Sequence, residues 1–250
     1  MIKEDKILVE LKNVSKTFKL FQRPTNTLKE KIIGFFTGQK KTKLEALKNI
    51  SFSIKKGEFF GIIGHNGSGK STLLSIISKS IEPDKGGEVM LDAKFLKLSL
   101  GMGFNKQLTA RQNVMLNGSI LGLRLKEIEQ IIPELFQFAG LEKFKDTPIK
   151  FFSKGMVNRL GFAIGIYAKA ELILLDEFIG GVGDENFKAK ADKAFDEMVL
   201  KGRTIIFVSH SLGLVKKYCN RVLVLHEGEM VGIFEPKEAI EIYKEKTKNQ

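Results

Sequence analysis

The sequence is short of the features that mark several protein classes. A single cysteine, Cys219, leaves no internal disulfide framework and no multi-cysteine zinc site. Five prolines and 24 glycines without a repeat exclude collagen-like and low-complexity chains. The longest apolar runs, such as 172–175 and 204–208, fall far short of the roughly 18 residues that a membrane span needs. The opening MIKEDKILVE is charged and has no apolar h-region, so no signal peptide is read and a cytosolic, soluble chain is expected. Acidic residues are also in deficit: 29 Asp+Glu against 41 Lys+Arg leave a net charge of +12. Between Lys16 and Lys43, eight basic residues face Glu30 alone, so this stretch carries +7 of that excess. Such a patch suits nucleic acid, an anionic membrane face or an anionic ligand, and equally a plain solvated face. Charge alone does not decide among them.

What is present points to a globular α/β chain. With 250 residues, 43% of them hydrophobic, the chain can bury the core of one large domain or of a domain with a smaller subdomain. Residues 7–14 and 47–54 alternate as strands, while 59–63 form a short apolar run that stops at Gly64. Residues 71–80 read as a helix with Leu73, Leu74, Ile76 and Ile77 inward. Within 19–43, Leu28, Ile32, Ile33, Phe35 and Phe36 fit one short basic amphipathic helix. From about 109 to 167 the pattern turns helical, with breaks expected at Gly122, Pro133, Gly140 and Pro148. Residues 172–175 and 204–208 read as buried parallel strands separated by a helix over about 186–200. Residues 222–226 and 230–234 read as a closing hairpin through Glu227-Gly228. The outline is an α/β core interrupted by a helical insertion.

Three clusters carry chemistry. Gly64-His65-Asn66-Gly67-Ser68-Gly69-Lys70-Ser71 fits G-x-x-x-x-G-K-[ST] between an apolar strand and a helix. Its glycines let successive N–H groups cradle phosphate oxygens at a helix N-terminus; Lys70 reaches the β- and γ-phosphates and Ser71 holds Mg²⁺. Asp176 and Glu177 end the apolar strand LILL, where Asp176 can hold a Mg²⁺-bound water and Glu177 can polarise an attacking water. Taken alone, such a pair is more often a helix N-terminus with favourable charge. Ser209-His210 follows the strand TIIFV, which places His210 one strand beyond the acidic pair. His65 and His226 read as a variable loop residue and an ordinary strand-end residue.

The order of Gly64–Ser71, FFSKGM (151–156), LILLDE and VSH resembles an ATP-binding-cassette (ABC) ATPase over almost the whole chain. The resemblance implies a P-loop NTPase (RecA-like) α/β core with an N-terminal antiparallel β subdomain and an inserted α-helical subdomain. The implied boundaries are 1–104 and 166–235 for the core, 105–165 for the helical subdomain, 19–43 for a basic insertion and 236–250 for a tail. Ser153-Lys154-Gly155-Met156 is similar to the family signature, which faces the phosphate loop of a second subunit; Ser153 also suits an ordinary helix N-cap. Phe18, in VSKTF, matches the aromatic that stacks on adenine, although a strand-end Phe is also a core residue. Asp184 matches the D-loop, in a segment one residue longer than usual. The implied ATP-binding set is thus Phe18, Gly64 to Thr72, Ser153 to Met156 and Asp184. Lys70, Glu177 and His210 would be catalytic, with Ser71 and Asp176 on Mg²⁺.

The glutamine loop departs from the family. LGMGFNKQLTARQNVMLNG (100–118) resembles the shortened form in ABC ATPases that export bacterial cell-surface polysaccharides. By that alignment Gln107 is not the loop glutamine, and Asn105 is a weak substitute. The resemblance implies an ATPase subunit that drives export of lipid-linked O-antigen, capsule or teichoic acid through a separate transmembrane permease. It also implies a homodimer at the cytoplasmic face of the bacterial inner membrane, with ATP and Mg²⁺ as cofactors and no nucleic-acid partner. A small-solute importer ATPase shares the motifs, and a soluble ABC ATPase acting on ribosomes or DNA is compatible with the charge.

Overall fold

The computed structural model describes residues 6–21, 41–99, 103–167, 170–176 and 185–248. The strands, in chain order, are β1 (Ile7–Phe21), β2 (Lys41–Lys55), β3 (Phe59–Ile63), β4 (Glu88–Leu91), β5 (Phe95–Ser99), β6 (Leu172–Asp176), β7 (Thr204–Val208), β8 (Arg221–His226) and β9 (Glu229–Phe234). The helices are α1 (Lys70–Ile77), α2 (Ala110–Ile120), α3 (Leu125–Ala139), α4 (Lys154–Tyr167), α5 (Glu185–Leu200), α6 (Leu212–Tyr218) and α7 (Pro236–Lys248).

The strands follow the spatial order β4-β1-β2-β9-β8-β3-β7-β6-β5. β8, β3, β7, β6 and β5 run parallel, whereas β4, β1 and β2 pair antiparallel. Among the described residues one parallel pair, Lys48 with Glu229, joins β2 to β9. The central strands read as unbroken apolar runs because both faces are covered. Side chains alternate across the sheet, so Phe59 and Ile63 enter one core with α5 and α6, while Phe60 and Ile62 enter another with α1, β1 and β2. Aromatics fill both layers: Phe59 meets Phe207 edge-on at 5.8 Å and Tyr218 at 5.8 Å, and Phe60 stacks on Phe52 at 5.3 Å.

Helices α2, α3 and α4 close around a core of their own, built on Val114, Ile128, Leu135, Phe136 and Leu160. The break expected at Pro133 does not occur, because α3 runs through it and ends at Gly140 in the left-handed conformation. An interior proline costs ~3 kcal/mol. Ile128 and Ile132 before it and Leu135 and Phe136 after it are all buried, each worth about 1.5–3 kcal/mol. Their sum outweighs the proline, whose ring lies exposed on the outer face.

Other boundaries also move. β1 and β2 extend well past the alternating cores of 7–14 and 47–54, pairing Lys19 with Lys43 and Phe21 with Lys41. Both ends of the basic stretch 19–43 are therefore strand rather than helix, and 22–40, with the amphipathic helix read there, lies outside the described residues. α1 stops at Ile77, since Lys79 takes a positive φ of 52°. β4, β5 and α6 were not read from the sequence at all.

Candidate active site

The parallel strands bring the three chemical clusters to one edge. In register, Ile62 of β3 and Asp176 of β6 both sit beside Val208 of β7. The phosphate loop starts two residues beyond Ile62, and His210 lies two beyond Val208. Asp176, half-buried, and His210, exposed, thus leave adjacent strand ends on the side where the loop opens, the usual ligand edge of such sheets.

The loop itself is shaped by its backbone. Gly69 caps α1 with φ 105° and offers no side chain to the helix's first amides. A Cβ there would strain that φ and lie 2.5 Å from the Ala46 carbonyl of β2, so glycine is required twice over. Lys70 is 5% exposed, and its Nζ donates to the Gly64 and His65 carbonyls at 2.8 Å each. An ammonium held there, beside the uncapped start of α1, makes a positive cradle in a shielded place. Asn66, Gly67 and Ser71 are exposed, His65, Gly69 and Thr72 half-buried, and Ser68 buried.

The donors suit a small hard cation. The Ser71 hydroxyl and the Asp176 carboxylate supply oxygen only, and no cluster of three or more His, Cys, Asp or Glu side chains occurs among the described residues. One carboxylate and one hydroxyl, completed by phosphate oxygens and water, is how Mg²⁺ is commonly held. Glu177 and Asp184 lie outside the described residues.

The remaining predicted residues are on separate elements. Phe18 is half-buried on β1 opposite exposed Leu44, with the Lys16 ammonium 5.8 Å from its ring centre, so it is a partly open ring and not a member of the core. Leu44 is two residues before Ala46, whose carbonyl borders Gly69. Ser153 caps α4: its Oγ accepts from the Met156 amide at 3.2 Å and its carbonyl from the Val157 amide at 3.0 Å. Ser153 and Lys154 are exposed, so the cap and an outward-facing motif coexist.

Sequence reasoning missed two features. Asn105 is engaged in an Asx turn, its Oδ1 accepting from the Gln107 amide at 3.0 Å. Buried Asn113 of α2 pins that turn: its Oδ1 accepts from the Asn105 amide, and its Nδ2 donates to the carbonyls of Asn105, Leu108 and Thr109. A lone Asn on a helix's inner side was the available signal. The second is contact between His65 and His226, whose rings meet edge to face with centres 5.0 Å apart. No short-range pattern links residues 161 positions apart.

Residues 47–180 match the ABC transporter family. The chain is 38% identical over 237 residues to the teichoic acids export ATP-binding protein TagH of Bacillus anthracis, covering 95% of this chain but 42% of that protein. It is 38% identical over 241 residues to the TagH of Listeria innocua, covering 96% and 70%. It is 35% identical over 241 residues to the O-antigen export system ATP-binding protein RfbB of Klebsiella pneumoniae, covering 95% and 98%. The chain thus spans less than half of the Bacillus protein and nearly all of the Klebsiella one. Among solved structures, a dimeric ATP-binding cassette in a post-hydrolysis state bound to ADP and Pi is similar at TM-score 0.73 and 25% identity, over 91% of this chain and 98% of that one. An ATP-binding subunit of an ABC transporter shares the fold at TM-score 0.76 and 22% identity, over 95% and 93%. The phosphate loop and the Asp176 strand both lie within the matched region, and the chain belongs to the ABC transporter ATPase family.

Proposed function

We propose that this chain hydrolyses ATP to drive export of a lipid-linked cell-surface polysaccharide, O-antigen, capsule or teichoic acid, through a separate permease. The observation that carries this reading is the match to an O-antigen export ATP-binding protein over 98% of that protein's length. The uncapped phosphate loop fits the chemistry. No helix among the described residues is long and apolar enough to cross a membrane, and in this reading the pathway belongs to a partner. The chain would work as a homodimer, peripheral to the cytoplasmic face of the plasma membrane.

Each residue then has a task. The loop amides and Lys70 bind the β- and γ-phosphates, and burial strengthens that attraction. Ser71 and Asp176 hold Mg²⁺, which neutralises phosphate charge. Glu177, next after Asp176, orients the attacking water, and His210 holds the γ-phosphate. Phe18 receives the adenine. Ser153 to Met156 complete the partner's site, with Asp184 at the dimer contact. In this scheme 1–104 and 166–235 form the core, 105–165 the helical subdomain and 236–250 the tail. The basic insertion 19–43 meets anionic lipid or a pyrophosphate-linked glycolipid through Lys29, Lys31, Lys40 and Lys41.

A tagged pull-down from gently solubilised native membranes tests the export reading. A small permease in near-equal amount, with glycan-assembly enzymes, supports it. Ribosomes, or a solute-binding protein with an import permease, overturn it while leaving the ATPase chemistry standing.

A further inference from the structure

The turn between β8 and β9 rests on the phosphate loop through its backbone. His65 Nδ1 lies 2.8 Å from the Asn66 carbonyl, and Nε2 lies 3.4 Å from the Glu227 amide. An amide N–H can only donate, so this network assigns Nε2 as acceptor and places the ring hydrogen on Nδ1. The next amide, Gly228, donates to the Ser68 carbonyl at 3.1 Å. Two successive amides of one turn therefore engage the phosphate loop at two points along it.

The turn keeps an unusual backbone to do this. Glu227 has φ 48° and Gly228 φ 80°, the pairing of left-handed residues that normally selects Asn, Asp or Gly at the first position. A Cβ on Gly228 would lie 2.9 Å from the Ala46 carbonyl. On its other side the Gly228 carbonyl accepts from the Lys48 amide at 2.8 Å, and Lys48 Nζ pairs with Glu229 at 3.0 Å. That hydrogen bond from Lys48 to Glu229 raises the Lys48 pKa. The turn thus ties the phosphate loop to β2, and the His226 ring closes over His65.

We propose that His65 and the Glu227–Gly228 turn are positioning elements that hold the phosphate loop in its phosphate-ready shape before nucleotide arrives. They transfer no proton to substrate. The proposal rests on ATP being the substrate. Preorganising a loop lowers the ordering cost of binding, so the effect falls on KM for ATP rather than on kcat. Around the His65 ring lie His226 of β8 and the Glu227 amide, with the Lys70 ammonium on the His65 carbonyl.

The test compares the full chain with His65→Ala, His65→Leu and His65→Gln, measuring phosphate release against ATP concentration at pH 8. Gln keeps an acceptor for the Glu227 amide, whereas Ala and Leu have none. His65→Ala raises KM about 3- to 10-fold with the smaller change in kcat, the loss expected of one hydrogen bond. His65→Gln restores the KM. An unchanged KM in His65→Ala, or a Gln variant no better than Ala, overturns the latch. Should His65→Ala fail to fold, the KM of His65→Leu against that of His65→Gln decides. A parent that neither binds nor hydrolyses ATP removes the ATPase reading and the latch together; a parent active on ATP with an unaffected His65→Ala removes the latch alone.

Discussion

Helices α1 and α2 both begin with the same liability, a first turn of amides that no helical carbonyl can reach. In α2 the chain supplies the partners itself. The Thr109 hydroxyl accepts from the Gln112 backbone amide at 3.2 Å and the Gln112 side-chain Oε1 accepts from the Thr109 backbone amide at 2.9 Å, a closed capping box. In α1 the cap is Gly69, which has no side chain to give. A helix end with no capping side chain and a glycine-rich approach has room for a phosphate, while one filled from within is structural. α4 stands between them: Ser153 caps it from an exposed position, leaving room for a second role.

The largest way to break this contrast is Lys70→Ala, which empties the cradle of its buried charge. ATP hydrolysis should fall by about 10²–10³-fold in a phosphate-release assay, as when one preorganised stabilising group is lost from a transition state. Gly69→Ala comes next. It strains a φ of 105° and presses on the Ala46 carbonyl. Denaturant unfolding should show a loss of about 1–3 kcal/mol, with nucleotide affinity falling alongside. Thr109→Ala sharpens the contrast from the other side: it should cost ~1 kcal/mol of stability and leave KM for ATP unchanged.

An effect confined to alkaline pH lies away from both helix ends. Burial pushes the Cys219 thiol up to about 12, from an ordinary value of 9.0. The unfolded chain releases that proton at lower pH than the folded one, so stability contributed by the neutral thiol declines as pH rises from about 9 toward 12. Unfolding curves across that window should be flatter with pH for Cys219→Ala than for the parent, showing what a buried group without a ligand task contributes.

The phosphate loop, the strands read at 172–175 and 204–208 and the closing hairpin were legible because each depends on a local pattern: a glycine spacing, an apolar run, a turn dipeptide. The long ribbon of β1 and β2 was not. Its outer half pairs Thr17 with Glu45 and Lys19 with Lys43, with no buried face to impose alternation, so its register comes from cross-strand hydrogen bonds that one strand's sequence does not display. Pro133 misled because propensity is local, whereas the packing that overrides it is tertiary. Asn105 stood out by its position, and its actual partner, Asn113, emerges when the turn folds back on α2.

Among the described residues the one parallel pairing of Lys48 with Glu229 makes the sheet two plates joined by a seam, the antiparallel ribbon on one side and the parallel strands on the other. Phe18 belongs to the first plate and the phosphate loop to the second. If the proposed adenine contact at Phe18 holds, a nucleotide bound to the phosphate loop also stitches that seam, and the join tightens with ATP supply until the site is full.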